Sequence, residues 1–165
     1  MKIIDFLKAG RPSFSFEFFP PKTDEDAQRL METAASLREL NPTYISVTWG
    51  AGGSTRRKTL DLVVDIKRRL NVETMAHLTC VGASRDEIDG ILGDLKAKGI
   101  ENVLALRGDP PKGQVDFTPH PDGFPHANEL VARLRERWNF CVGVAGYPEG
   151  HPQTPDLGRD LEHLK

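Results

Sequence analysis

Phe16, Val47, Leu78, Ala105 and Val144 mark five short apolar runs along the chain, separated by 31, 31, 27 and 39 residues. Each interval has room for one strand, one helix and two loops, so the pattern predicts successive βα units rather than a solenoid of repeats. Each run also ends in polar residues or glycine. In parallel α/β architectures the carboxyl ends of the strands are where ligands bind, because the loops there vary while the sheet holds them in place.

The clearest of these ends follows Asn102 to Leu106, a continuous and partly β-branched run that reads as a buried strand. It delivers Arg107, Gly108 and Asp109, then Pro110 and Pro111, which prevent an immediate helix. Gly108 permits a positive φ or a close backbone approach to a ligand. Arg107 and Asp109 either pin the loop as a pair or contact a ligand. The loop from Gly108 to Phe124 is long and proline-rich, in keeping with a binding loop or lid.

The preceding segments have the same organisation. Ile3 to Leu7 predicts a short amphipathic helix closed by Gly10 and Pro12. Ser13 to Phe19 alternates with period two, placing Phe14, Phe16 and Phe18 under helices and Ser15 and Glu17 on an interior face. Asp24 caps a helix through about Leu40, with Ala27, Leu30, Met31, Ala34, Leu37 and Leu40 at core spacing. Tyr44 to Trp49 repeats the division, with Ile45 and Val47 opposite Ser46 and Thr48. Gly50 to Ser54 opens a helix to about Leu70 and could cradle phosphate, but Thr55 stands where a dinucleotide fingerprint has its last glycine.

Thr74 to Cys80 predicts the third strand, with His77 and Thr79 on one face; a lone strand histidine is commonly a hydrogen-bonded core residue. Ser84 and Glu87 form a capping box for a helix to Lys98, ended by Gly99. Ala127, Leu130, Val131, Leu134 and Trp138 mark the next helix, and Phe140 to Tyr147 the fifth strand, with Cys141, Gly143 and Ala145 leaving room on its inner face for a flat ligand. Asp156 begins a final helix through Leu164, and the chain stops inside it.

Parallel strands with right-handed crossovers either curl into a barrel or lie in an open sheet. Serine, threonine, histidine and glycine on one face favour the barrel, since both faces of an open sheet usually read apolar beneath flanking helices. The predicted fold is therefore α/β, a (βα)8 TIM-barrel type that is incomplete here, with five units of eight in a single domain over residues 1–165, truncated at its C-terminal end.

With 38% apolar and 28% charged residues in 165, the composition is that of a soluble globular domain. A net charge of −2 without a basic, aromatic-interleaved stripe argues against nucleic acid, and the absence of a signal-peptide core or a membrane-length apolar run predicts a cytoplasmic protein with no membrane partner. Cys80 and Cys141, 61 positions apart, form neither a CxxC pair nor a metal spacing, so both are expected to be buried thiols.

Ser15-Phe16-Glu17-Phe18-Phe19-Pro20-Pro21, Ser46-Val47-Thr48-Trp49-Gly50-Ala51, His77-Leu78-Thr79-Cys80, Ala105-Leu106-Arg107-Gly108-Asp109 and Tyr147-Pro148-Glu149-Gly150-His151-Pro152 together resemble the methylenetetrahydrofolate reductase family across essentially the whole chain. The resemblance implies a (βα)8 barrel binding FAD. The implied reaction reduces 5,10-methylenetetrahydrofolate to 5-methyltetrahydrofolate with NADH or NADPH, in one-carbon and methionine metabolism. It further implies that Glu17 is the general acid that opens the folate imidazolidine ring to an iminium ion, with burial raising its proton affinity. Asp109 would hydrogen-bond the folate and tune the flavin. Thr48, Trp49, Ala51, His77, Arg107 and Gly108 match positions around the flavin or nicotinamide; Ala127, Tyr147, His151 and Asp160 match contacts to the ribityl, phosphate and adenosine parts. The family's last three strands have no counterpart here. A non-catalytic flavin- or nucleotide-binding module that needs a complementary half is the alternative, and self-association is compatible with either.

Overall fold

The computed structural model describes the chain apart from residues 50–52, 111–116, 152–153 and 155, and apart from the side chains of 53–56. Its described elements are α1 (Ile3–Lys8), β1 (Ser15–Phe18), α2 (Asp24–Arg38), β2 (Tyr44–Val47), α3 (Gly53–Leu70), β3 (Thr74–Thr79), α4 (Arg85–Ala97), β4 (Asn102–Leu106), α5 (Ala127–Arg137), β5 (Cys141–Val144) and α6 (Leu157–Leu164). The strands form one parallel sheet in the order β1-β2-β3-β4-β5. A doubly wound sheet reverses its strand order at a switch point; this one never does, and it carries its helices as a barrel would. Five parallel βα units thus make a partial TIM-barrel-like sheet, as the sequence pattern predicts.

The register sorts the side chains. Phe16 pairs with Ile45, Phe18 with Val47, Val47 with Ala76, Ala76 with Val103, Leu78 with Ala105, and Val103 with Val142, giving one continuous apolar face. Ile45, Val47, Ala76, Leu78, Val103 and Ala105 are fully buried there with Ala34 of α2, Val63 and Ile66 of α3, Ile88, Leu92 and Leu95 of α4, and Leu130 and Leu134 of α5. Burying the eleven Val, Leu and Ile side chains among these, at about 1.5–3 kcal/mol each, is what holds the helices against this face. Asp89 on α4 fastens α5 from outside, accepting from Arg133 and from Trp138 Nε1 at 3.4 Å; the Arg133 bond holds its carboxyl below the usual carboxylate range.

The opposite face carries Ser15, Glu17, Tyr44, Ser46, Met75, His77, Thr79, Asn102, Leu104, Leu106, Cys141 and Gly143, as the alternation requires. Among the described residues α1 meets it only at the amino-terminal end, through Ile3 and Asn102, and it is the face that would line a barrel.

Several local expectations need correction. Thr23, not Asp24, caps α2, its hydroxyl accepting from Asp26 N at 3.1 Å, because the extended backbone of Thr23 can aim Oγ1 at the orphan amides. α2 stops at Arg38 and Leu40 is exposed, since the chain turns through the positive φ of Asn41 toward β2. Phe14 precedes β1 and lies half exposed, edge-on to Phe16 at 5.9 Å. β5 is four residues rather than eight, because it is a sheet edge and its last partner is Ala105, opposite Val144. Cys141 is only half-buried for the same reason. The capping box of α4 forms as read, with Ser84 Oγ accepting from Glu87 N and Glu87 reaching back to Ser84 N.

Candidate active site

The polar residues singled out in the sequence lie at or beyond the carboxyl ends of the strands, in three groups. The first is built on the uncovered face. The β1–β2 register sets Glu17 beside Ser46, and Ser46 in turn faces Met75, two residues before His77. Glu17 Oε2 stands 3.4 Å from Ser46 Oγ and 3.3 Å from His77 Nε2. Ser46 and His77 are buried at 5% and 6% exposure, whereas the Glu17 side chain is 52% exposed, so a half-exposed carboxylate rests on two buried supports. The apolar enclosure expected to desolvate Glu17 is not built by these five strands. Burial pushes the His77 imidazole below its usual range, against the upward pull of the Glu17 carboxylate.

Two buried polar atoms on this face, His77 Nε2 and Thr79 Oγ1, have no aligned hydrogen-bond partner among the described residues. Buried polar groups of that kind call for a partner; His77 Nε2 has the Glu17 carboxylate within 3.3 Å, and Thr79 Oγ1 has none among the described residues. Beside them Gly143 lets the Leu104 and Met75 side chains pack close against β5, since a Cβ there would stand 3.1 Å from Leu104 Cδ1 and 3.5 Å from Met75 Cε.

The second group follows β4. Cys80 N donates to Leu106 O and Arg107 O, and Val81 N donates to Arg107 O, so the β3–β4 ladder continues past the strand end. That pairing presses Gly108 onto β3: its φ is +87°, and a Cβ would come within 2.7 Å of Val81 Cγ1 and 3.0 Å of Thr79 Cβ. Only glycine fits. The Arg107 guanidinium lies over the Phe117 ring at 4.8 Å, which brings part of the long loop back over the strand end, and Asp109 is exposed just beyond. Glu17 and Asp109 stand at the same end of the sheet with β2 and β3 between them.

The third group joins β5 to α6. Tyr147 and His151 rings meet edge-on at 4.6 Å, and His151 N donates to Asp160 Oδ2 at 3.2 Å in the first turn of α6. Ala127 opens α5, half-buried. Thr48 is held by its backbone, N to Phe18 O and O from Thr59 Oγ1. Trp49 is placed apart from the others, packed half-buried against the helix-side core. Ala51, and most of the glycine turn read as a phosphate cradle, lie outside the described residues. What the sequence reading missed was Ser46 as a partner of Glu17; the signal available was its place on the same face one strand over.

A carboxylate, a hydroxyl and an imidazole in contact can donate, accept and orient a proton, on the same sheet end as a close-packed glycine turn. Among the described residues no cluster of histidine, cysteine, aspartate or glutamate could hold a metal ion, and no helix is long and apolar enough to cross a membrane.

Known proteins resemble this chain over all or nearly all of its length. It is 45% identical over 180 aligned positions to methylenetetrahydrofolate reductase (NADH) 1 of Arabidopsis thaliana, covering 100% of this chain and 30% of that protein. It is 39% identical to methylenetetrahydrofolate reductase 2 of Saccharomyces cerevisiae, over 100% of this chain and 29% of the yeast protein. With 5,10-methylenetetrahydrofolate reductase of Salmonella typhimurium the identity is 40% over 94% of this chain. The chain spans 51% of that bacterial relative and less than a third of the two eukaryotic ones, matching their N-terminal part. The family model described as methylenetetrahydrofolate reductase matches residues 2–165, and the chain belongs to that oxidoreductase family.

Proposed function

We propose that this chain carries the flavin side and the acid of a reaction that reduces 5,10-methylenetetrahydrofolate to 5-methyltetrahydrofolate, with FAD as cofactor and NADH or NADPH as reductant. The observation that carries the reading is the contact of Glu17 with Ser46 and His77 at the carboxyl end of the sheet. The residues fit a flat cofactor: Thr79 Oγ1 is buried without an aligned partner among the described residues, His77 Nε2 meets only the Glu17 carboxylate, and Gly108 brings backbone where a side chain cannot stand. A bound flavin supplies the redox chemistry, taking electrons from the nicotinamide and passing them to the folate.

The chain's own residues do the rest. Thr48, His77, Arg107 and Gly108 hold the ring system, and Ala127, Tyr147, His151 and Asp160 the ribityl, phosphate and adenosine parts. Trp49 supports Thr48 from the core. Asp109, exposed beyond Gly108, is free to hydrogen-bond the folate. Glu17 donates its carboxyl proton to a nitrogen of the folate imidazolidine ring as that ring opens, and its exposure lets solvent reprotonate it between turnovers. The setting is cytoplasmic one-carbon and methionine metabolism.

The test uses the chain loaded with FAD. NADH should bleach the flavin, and methylenetetrahydrofolate should restore its colour. Glu17→Gln should slow the folate-dependent step by about 10²–10⁴-fold, the usual contribution of a positioned general acid. A chain that takes up no flavin, or a Glu17→Gln protein that reduces folate at the parent rate, would end the reading.

A second reading rests on the sheet edges. β1 and β5 each have one neighbouring strand, so their outer backbone groups are available to further strands. In that case the chain binds flavin weakly alone and gains reductase activity only with a complementary half-barrel. Adding the remaining barrel segment of a relative, and measuring whether activity rises, separates the two readings.

A further inference from the structure

We propose that Ser46 and His77 are positioning residues for Glu17, supporting the acid of β1 from the two neighbouring strands. This deepens the reading of Glu17 as a proton donor and rests on it. The geometry is specific: one carboxylate oxygen, Oε2, is approached by Ser46 Oγ at 3.4 Å and by His77 Nε2 at 3.3 Å. The supports are nearly sealed from solvent while the carboxyl group is half exposed. A buried side chain keeps its rotamer, so orientation passes from β2 and β3 to a group whose own strand is a sheet edge.

The charge distribution fits the same role. When Glu17 gives its proton to the substrate, the carboxylate left behind accepts from Ser46 Oγ–H and from His77 Nε2–H; the proton leaves only from the carboxyl group, and the imidazole stays neutral. Among the described residues nothing else on this face competes. The other titratable side chains there are Tyr44 and Cys141, both at the amino-terminal starts of their strands. Arg107 and Asp109 lie past the end of β4, with Arg107 stacked on Phe117. His77 Nε2 lacks an aligned hydrogen bond at present, so a small rotation of the Glu17 side chain completes the contact.

The first arm of the experiment needs neither flavin nor folate. The chain, with its five histidines isotopically labelled, is titrated by NMR, and His77 is identified by loss of its signal in His77→Gln. Its midpoint should lie below the ordinary histidine range. It should fall further in Glu17→Gln, because the attracting carboxylate is gone, and less in Glu17→Asp, which keeps the charge on a shorter stem. An unchanged midpoint in both variants would overturn the proposal while leaving the folate reading untouched. A functional arm follows the pH profile of the folate-dependent step: Ser46→Ala should displace it and slow the step about ten-fold, and Ser46→Thr, which keeps the hydroxyl, should restore it. A profile identical in Ser46→Ala and the parent would equally overturn it. Loss of folate reduction in the parent chain would count against the proposed function alone, since the NMR midpoint still decides the pairing.

Discussion

The same five strands end in two opposite ways. At their amino-terminal ends the polar groups are used up. Asn102, fully buried at the start of β4, accepts from Ile3 N at 2.8 Å and donates through Nδ2 to Met1 O, Glu73 Oε1 and Thr74 O at 3.1–3.2 Å. Lys67 joins Glu73 Oε1 at 2.6 Å to Gly99 O at 3.0 Å, so the turn before β3 is tied to the turn after α4. At the carboxyl-terminal ends, His77 Nε2 and Thr79 Oγ1 are left without aligned partners among the described residues, and Glu17 is half exposed. Thr74 Oγ1, orphaned near the amino end, is the exception, and it belongs to the helix-covered face. The difference separates the part that holds the chain together from the part whose bonding capacity is available to the proposed cofactor.

The sharpest way to break that contrast is Asn102→Ala. It removes the donor and acceptor that join α1, β3 and β4, and strands Ile3 N and Thr74 O in a buried place. At about 1 kcal/mol or more for each bond lost, the expected cost is about 3–4 kcal/mol, or roughly a 10 °C drop in melting temperature. Flavin affinity of the folded variant should be unaffected. If Asn102→Ala melts with the parent, the amino end is not where stability is concentrated.

Gly108→Ala tests the other end. The new methyl group would enter Val81 and Thr79 at a φ of +87°, so the strand end must shift. The expected stability loss, about 2 kcal/mol, is smaller than that of Asn102→Ala, but here flavin binding should weaken with it. Melting and flavin titration on the two variants sharpen the comparison together: one should lose stability alone, the other both.

How much of this was legible from the residues depends on how local the cause was. β4 was readable because Val103 to Leu106 form an uninterrupted apolar run, and the α4 cap because Ser84 and Glu87 carry their own geometry. The two faces of β1 and β2 followed from period-two alternation. What alternation does not supply is register, and the meeting of Glu17, Ser46 and His77 is a register effect across three strands. The same holds for Asn102, which reads as an ordinary strand start and becomes a hub only when α1 folds beneath it. Edges defeated the reading in the other direction: residues beyond Val144 continue a strand-like pattern, but β5 has one neighbour and its pairing runs out. Leu157, Leu161 and Leu164 look like a core stripe and are about half exposed on α6, whose described residues include none that is buried.

The smallest effect concerns how far the openness of the carboxyl end reaches. Cys80 follows β3 at that end, yet on the helix side, with no exposed surface and Sγ near Leu106 O and His126 O at 3.4 and 3.7 Å. Burial first, and then the Glu129 carboxylate, push its thiol up to about 12. At pH 8 that leaves about one thiolate in ten thousand, and the thiolate is the reactive form. Cys141 is half-buried on the uncovered face. Iodoacetamide at pH 8 should therefore modify Cys141 in the folded protein and reach Cys80 only after denaturation, with no change in melting temperature beforehand. Labelling of Cys80 at a comparable rate in the native state would mean that solvent passes through the strand layer, and the division between a ligand face and a sealed core would have to be redrawn at β3.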